Sequence, residues 1–129
     1  MAEDTRTSIN PAEIRGKEPI DYQAYNYMES KIETVEIHNY AKEGESEQLR
    51  LVISTSRVDD TNELRGKEFV NLFRDKEGNV CYSKSPNSVA QKILMYFNVA
   101  DFNELIGMKC NIRVRMLESG KKVLGIDYG

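Results

Sequence analysis

Two phenylalanines spaced two residues apart and bordered by cations are the feature of this sequence with the clearest chemistry. In Lys67-Glu68-Phe69-Val70-Asn71-Leu72-Phe73-Arg74, strand-like alternation puts Phe69, Asn71 and Phe73 on one face and Val70 and Leu72 on the other. Either face can be the core face. If Val70 and Leu72 turn inward, both rings stand outside between Lys67 and Arg74. That arrangement suits a single nucleic-acid strand, whose bases stack on rings at roughly 1–3 kcal/mol each while cations follow the phosphates. If the rings turn inward, they fill the interior and the segment is purely structural. Arg50, on the preceding strand, and Arg113 and Arg115, on a later one, can extend a cationic surface. Lys121 and Lys122 add to it from the turn that follows.

The inventory for catalysis is poor. His38 is the only histidine and falls among glutamates on the polar side of a strand-like segment. Cys81 and Cys110 lie about 30 residues apart and make no close ligand pair of the kind zinc takes. Cys110 sits in an apolar row and reads as a small core residue. Neither a G-x-x-x-x-G-K-[ST] phosphate loop nor a G-x-G-x-x-G fingerprint occurs. Asp59, Asp60 and Glu63 lack the ligand alternation of a calcium loop and read as a solvated acidic turn. The expectation is a protein that is not an enzyme, with no cofactor and no metal.

With 129 residues, 40% hydrophobic and 30% charged, the chain fits one domain that needs no disulfide or metal staple. No apolar run approaches the roughly 20 residues that cross a bilayer as a helix, so no membrane partner is expected. The opening MAEDTRTSINPAEIRGKEP has neither the basic nor the apolar stretch of a secretory signal, so a cytoplasmic location with reduced thiols is expected. Charge is sorted along the chain. Residues 1–30 carry six acids and three bases, and residues 31–64 eight acids and four bases. Residues 65–92 carry six bases and three acids, and residues 105–129 five bases and two acids. Screening confines each charge to about 8–10 Å, so a net charge of −3 allows a local basic groove.

These residues need elements to position them. Residues 1–30 are polar and aperiodic, with Tyr22, Tyr25 and Tyr27 near their end, and read as a flexible or loosely packed N-terminal arm. From residue 31 onward short alternating segments take over, and residues 31–129 form the folded domain. Lys31–Tyr40 reads as a strand with Val35 and Ile37 inward. Gln48–Thr55 follows with Leu49, Leu51 and Ile53 inward and Arg50 and Ser54 outward. The polar connection RVDDTNELRG leads to Glu68–Arg74, and Gly78-Asn79 turns that strand into Val80–Ser83. Ser85 can cap, and Pro86 can open, a helix whose Val89, Ala90, Ile93, Leu94 and Phe97 share one face. Asp101 and Glu104 form a capping box for a short turn that Gly107 ends. Cys110, Ile112, Val114 and Met116 then alternate in a strand, which a turn at Gly120 joins to Val123–Tyr128.

Five main strands with one helix between the third and fourth is the order of an OB-fold-like five-stranded barrel in a mainly β protein. In that fold the second and third strands, with the loops joining strands 1–2 and 4–5, form the usual oligonucleotide face. The stretch from Asn87 to Tyr128 resembles the C-terminal half of small phage-encoded single-stranded-DNA-binding proteins. An amphipathic helix there precedes a junction matched here by Leu105, Ile106, Gly107, Lys109 and Cys110, then by the basic strand Asn111-Ile112-Arg113-Val114-Arg115. The resemblance covers about a third of the chain. It implies an OB-fold and a single-stranded-DNA-binding role in phage or mobile-element replication or recombination. Many bacterial single-strand binders carry an acidic tail that recruits partners, whereas this sequence closes on Ile126-Asp127-Tyr128-Gly129. Replication or recombination proteins would then be recruited through the acidic N-terminal arm, and the chain could form an oligomer. The alternative is a small acidic module that binds another protein, such as a nucleic-acid enzyme or a host defence protein, through residues 33–47 and 58–63.

Overall fold

A computed structural model describes residues 8–129, so the part of the expected arm at residues 1–7 lies outside the described residues. Seven strands and one helix follow in order: β1 (Glu29–Asn39), β2 (Leu49–Asp59), β3 (Leu64–Asn71), β4 (Phe73–Arg74), β5 (Val80–Cys81), α1 (Val89–Phe97), β6 (Lys109–Met116) and β7 (Lys122–Ile126). Five of them form an antiparallel sheet in the order β3-β2-β1-β6-β7, and β4 and β5 form a separate two-stranded hairpin. The protein is thus mainly β, with one helix between the strands, as the alternation predicts.

Strand β1 serves two neighbours. Its first residues pair with β6, Glu29 opposite Asn111 and Lys31 opposite Lys109. From Ile32, opposite Thr55, onward it pairs with β2, Val35 opposite Ile53 and Ile37 opposite Leu51. A register irregularity between Ile32 and Thr34 directly follows the change of partner, and such irregularities bend a strand and sharpen its twist. Ile32 is fully buried at that bend, together with Ile53, Leu105, Ile112 and Ile126. Helix α1 presses Ala90, Ile93 and Leu94 onto this core, and Phe97, Tyr82, Phe102 and Tyr128 pack around it.

The outer strands of the sheet, β3 and β7, approach each other without a backbone ladder. A Cβ on Gly66 of β3 would lie 2.9 Å from the Gly125 carbonyl oxygen of β7 and 2.7 Å from Ile112 Cδ1. Only glycine tolerates that approach. A side-chain bridge stands in for the ladder. Glu68 Oε1 accepts a hydrogen bond from the Ile126 N–H at 2.9 Å and another from Arg115 Nε at 2.8 Å, and Arg115 Nη2 donates to the Ile126 carbonyl at 2.9 Å.

Several expectations need correction. The polar stretch at residues 57–66 is mostly strand, because β2 runs to Asp59 and β3 starts at Leu64, leaving a tight turn between them. Ser54 lies on the outer face opposite Lys67, as expected, but it is buried there, as is Val52 on the same face. Ile37 is 56% exposed, because β1 outruns β6 and nothing covers its far end. Val89 is exposed at the first helical position. The helix is capped by Ser88, whose Oγ accepts from the Gln91 N–H at 3.1 Å, while Ser85 and Pro86 lie in the turn ahead of it. The Asp101–Glu104 capping box is present around a 3-10 turn at Phe102–Leu105.

The tyrosines before β1 are tied to the sheet, and β1 itself starts ahead of the expected boundary after residue 30. A 3-10 turn spans Tyr22–Tyr25. The Tyr27 N–H donates to the Ile112 carbonyl at 2.7 Å, and Asn26 Oδ1 accepts from the Val114 N–H at 2.9 Å. The Tyr25 hydroxyl donates to Asp59 at the end of β2. This bond, helped by Asn62 and by backbone N–H groups, holds the Asp59 carboxyl at about 2, below its ordinary 3.8. A carboxylate depressed by folding adds stability above its unfolded pKa, and that stability is lost as pH falls through the folded value. The thermal midpoint should therefore drop between about pH 4 and pH 2, and Asp59→Asn should flatten that part of the profile. An unchanged profile would show that the Tyr25 contact does not hold in solution.

Core packing gives a second expectation. Ile112 has no exposed surface and its Cδ1 faces Gly66, so Ile112→Ala should cost about 2–5 kcal/mol in urea unfolding with an unchanged m-value. A loss under about 1 kcal/mol would place Ile112 outside the core.

Candidate nucleic-acid interface

The two faces of β3 are resolved by burial. Gly66, Glu68 and Val70 are buried, whereas Lys67, Phe69 and Asn71 are exposed. Val70 is opposite Leu51 in the core, and Leu72 packs against it from just past the strand. Phe69 and Phe73 consequently stand outside, 45% and 52% exposed.

Register assembles the rows beside Phe69. One outer row runs Glu36, Val52, Phe69 and the next runs His38, Arg50, Asn71. Tyr40 follows β1 at the same end. Its ring meets Phe69 edge-on at 6.3 Å, Arg50 lies over it at 5.3 Å from the centroid, and His38 is 6.1 Å away. Tyr40 is not among the residues expected from sequence, although the alternation Glu36, His38, Tyr40 continues the outer face one step beyond the strand. His38 is exposed, as expected, with Glu36 at 3.0 Å, and it borders the aromatic patch.

On its other side Phe69 lines a groove of about 560 Å³ between β3 and the β6–β7 turn. Lys67, Lys121 and Lys122 line it too, with Leu117 and Val123 as apolar wall. None of these three lysines has an ion-pair partner among the described residues. The other two cations of the groove are engaged: Arg65 with Glu33 at 3.2 Å and Arg115 with Glu68 at 2.8 Å. Arg115 thus braces β3 against β7, its guanidinium lying 4.8 Å from the Tyr128 ring centroid.

Three of the expected residues neither line the groove nor contact the Tyr40 ring. Phe73 belongs to the β4–β5 hairpin, opposite Cys81. Arg74 is forked onto Glu47 at 2.6 and 3.2 Å and also donates to the Gly78 carbonyl at 2.7 Å. That hydrogen bond holds the Glu47 carboxyl below its ordinary range and neutralises one of the acids of the loop after β1. Arg113 donates to the Tyr27 hydroxyl at 3.1 Å and lies 3.8 Å from Asp127, outside the groove. Arg50, Lys67, Phe69, Lys121 and Lys122 are brought together, with Tyr40 added.

Neither cysteine has the setting of a nucleophile. Burial pushes the Cys110 thiol up to about 11, and Cys81 is also raised, by burial and by the Asp75 carboxylate beside it. Among the described residues no three His, Cys, Asp or Glu side chains gather as a metal site, and no helix is long and apolar enough to cross a membrane. Comparisons with protein families, with curated proteins and with solved structures found no match.

Proposed function

We propose that this chain is a single-stranded-DNA-binding protein of OB-fold-like architecture, acting in phage or mobile-element replication or recombination. The observation that carries the reading is the exposed Phe69 ring, set between the Tyr40–Arg50 patch and a groove with three lysines that have no ion-pair partner among the described residues. Rings offer every base a stacking face, and lysines at the groove rim offer phosphates a track, which together give binding tolerant of sequence. The barrel reading is supported by β3 lying against β7 through Gly66 and Gly125, with the Glu68 bridge between them.

Fluorescence polarisation of labelled oligo-dT tests the proposal. Binding should be measurable at about 50 mM salt and weaken toward about 200 mM, with a log–log slope of about −2 if three lysines each neutralise a phosphate of a single strand. A duplex of the same length should bind more weakly, because its bases are already stacked on each other. Absence of oligo-dT binding at about 50 mM salt would refute the reading. The acidic faces at residues 33–47 and 58–63 would then point to a protein partner instead.

A further inference from the structure

We infer that β1 carries a self-complementary open edge, and that two copies of the chain pair through it as an antiparallel dimer centred on Ile37. The inference does not depend on the nucleic-acid reading. Among the described residues, β1 beyond Lys31 has β2 on one edge and no strand on the other. Two backbone bonds fix which groups point outward. The Tyr40 N–H donates to the Gln48 carbonyl at 2.9 Å, so the even-numbered residues of β1 face β2. The Leu72 N–H donates to the Leu49 carbonyl at 3.1 Å, so Leu49, opposite Asn39, turns away from β1. Both observations send the N–H and C=O groups of Val35, Ile37 and Asn39 to the open side.

The edge lacks two of the usual protections. Residues 33–39, Glu-Thr-Val-Glu-Ile-His-Asn, contain neither proline nor lysine, the residues that commonly blunt an edge strand. The last four residues of β1 are exposed on both faces, Ile37 among them. A row of unpaired backbone groups beside an exposed isoleucine is a template for another strand.

Charge selects the occupant and the register. With Ile37 opposite Ile37 of the partner subunit, Glu36 falls opposite His38 of the partner subunit, and His38 opposite the partner's Glu36. Val35 then pairs with Asn39 of the partner subunit, and all outward backbone groups from 35 to 39 are used. Moving the centre one residue back along the strand puts Glu36 against Glu36 of the partner subunit, and opposed like charges destabilise a strand pair. The Ile37-centred register joins apolar to apolar and acid to imidazole, and it closes on itself as a two-fold requires.

So short an interface should give a dimer in the micromolar range or weaker, read by sedimentation velocity from about 5 to about 500 µM chain. The wild-type protein should show concentration-dependent dimer. Ile37→Arg should weaken it at least tenfold at an unchanged thermal midpoint, because Ile37 is exposed and its loss leaves the core intact. Glu36→Lys alone should weaken dimerisation, and Glu36→Lys with His38→Glu should restore it. A wild-type monomer throughout the range overturns the inference, as does a dimer that survives Ile37→Arg. A dimer lost in Ile37→Arg but indifferent to Glu36→Lys overturns the register.

Discussion

Glu68→Ala should be among the most destabilising single changes in this protein, costing about 3 kcal/mol in urea or thermal unfolding. The carboxylate is only 10% exposed and holds two donors, the Ile126 N–H and Arg115 Nε. Removing it leaves a buried backbone donor unpaired and strips Arg115 of its counter-ion in a half-buried setting. The figure sits at the low end for a broken buried pair, because Arg115 keeps about a third of its side chain in water. Glu68→Gln keeps an acceptor for Ile126 and loses only the charge, so it should cost roughly half as much. The contrast matters more than either value. It separates a bridge that joins β3 to β7 from a mere surface ion pair, which would lose under about 1 kcal/mol in both variants.

This bridge also shows where the sequence stops being readable. Alternation assigns the two faces of β3 but leaves the choice of core face open, because phenylalanines fill a core as well as Val70 and Leu72 do. The choice is made by pairing: Val70 falls opposite Leu51, and Glu68 has Arg115 to meet across the sheet. That partner lies 47 residues further on, and no local pattern announces it. A charged residue inside a strand reads as solvent-facing until its counter-ion is placed. Gly66 and Gly125 are equally silent, since their role is a close approach of two strands distant in sequence. Strand order, the hairpin at Gly78 and the capping box at Asp101 rest on local periodicity and turn chemistry, and these were legible. The tyrosines before β1 look like an arm in the sequence, because their attachment runs through the Tyr27 N–H to Ile112 and the Asn26 side chain to Val114.

Replacing Phe69 should separate stacking from charge at the proposed interface. Phe69→Ala removes the ring shared by the Tyr40–Arg50 patch and the groove, and should weaken oligo-dT binding by about 1–3 kcal/mol, or roughly 5- to 150-fold. The salt slope should not change, because stacking releases no counterions. The fold should tolerate the substitution, since nearly half of the side chain is already in solvent. The double variant Lys121→Ala with Lys122→Ala should do the reverse. Its slope should become shallower by about 1.4, two phosphates at about 0.7 each, and its affinity should approach the wild-type value as salt rises. Arg74→Ala and Arg113→Ala discriminate further. Both arginines belong to a cationic surface if sequence alone is followed, yet Arg74 is locked to Glu47 and Arg113 sits between Tyr27 and Asp127. Each should leave both affinity and slope close to wild type. If Arg113→Ala flattened the slope as much as the lysine pair, the DNA path would have to cross the Tyr27 side of the protein. The groove beside Phe69 would then not be its main track.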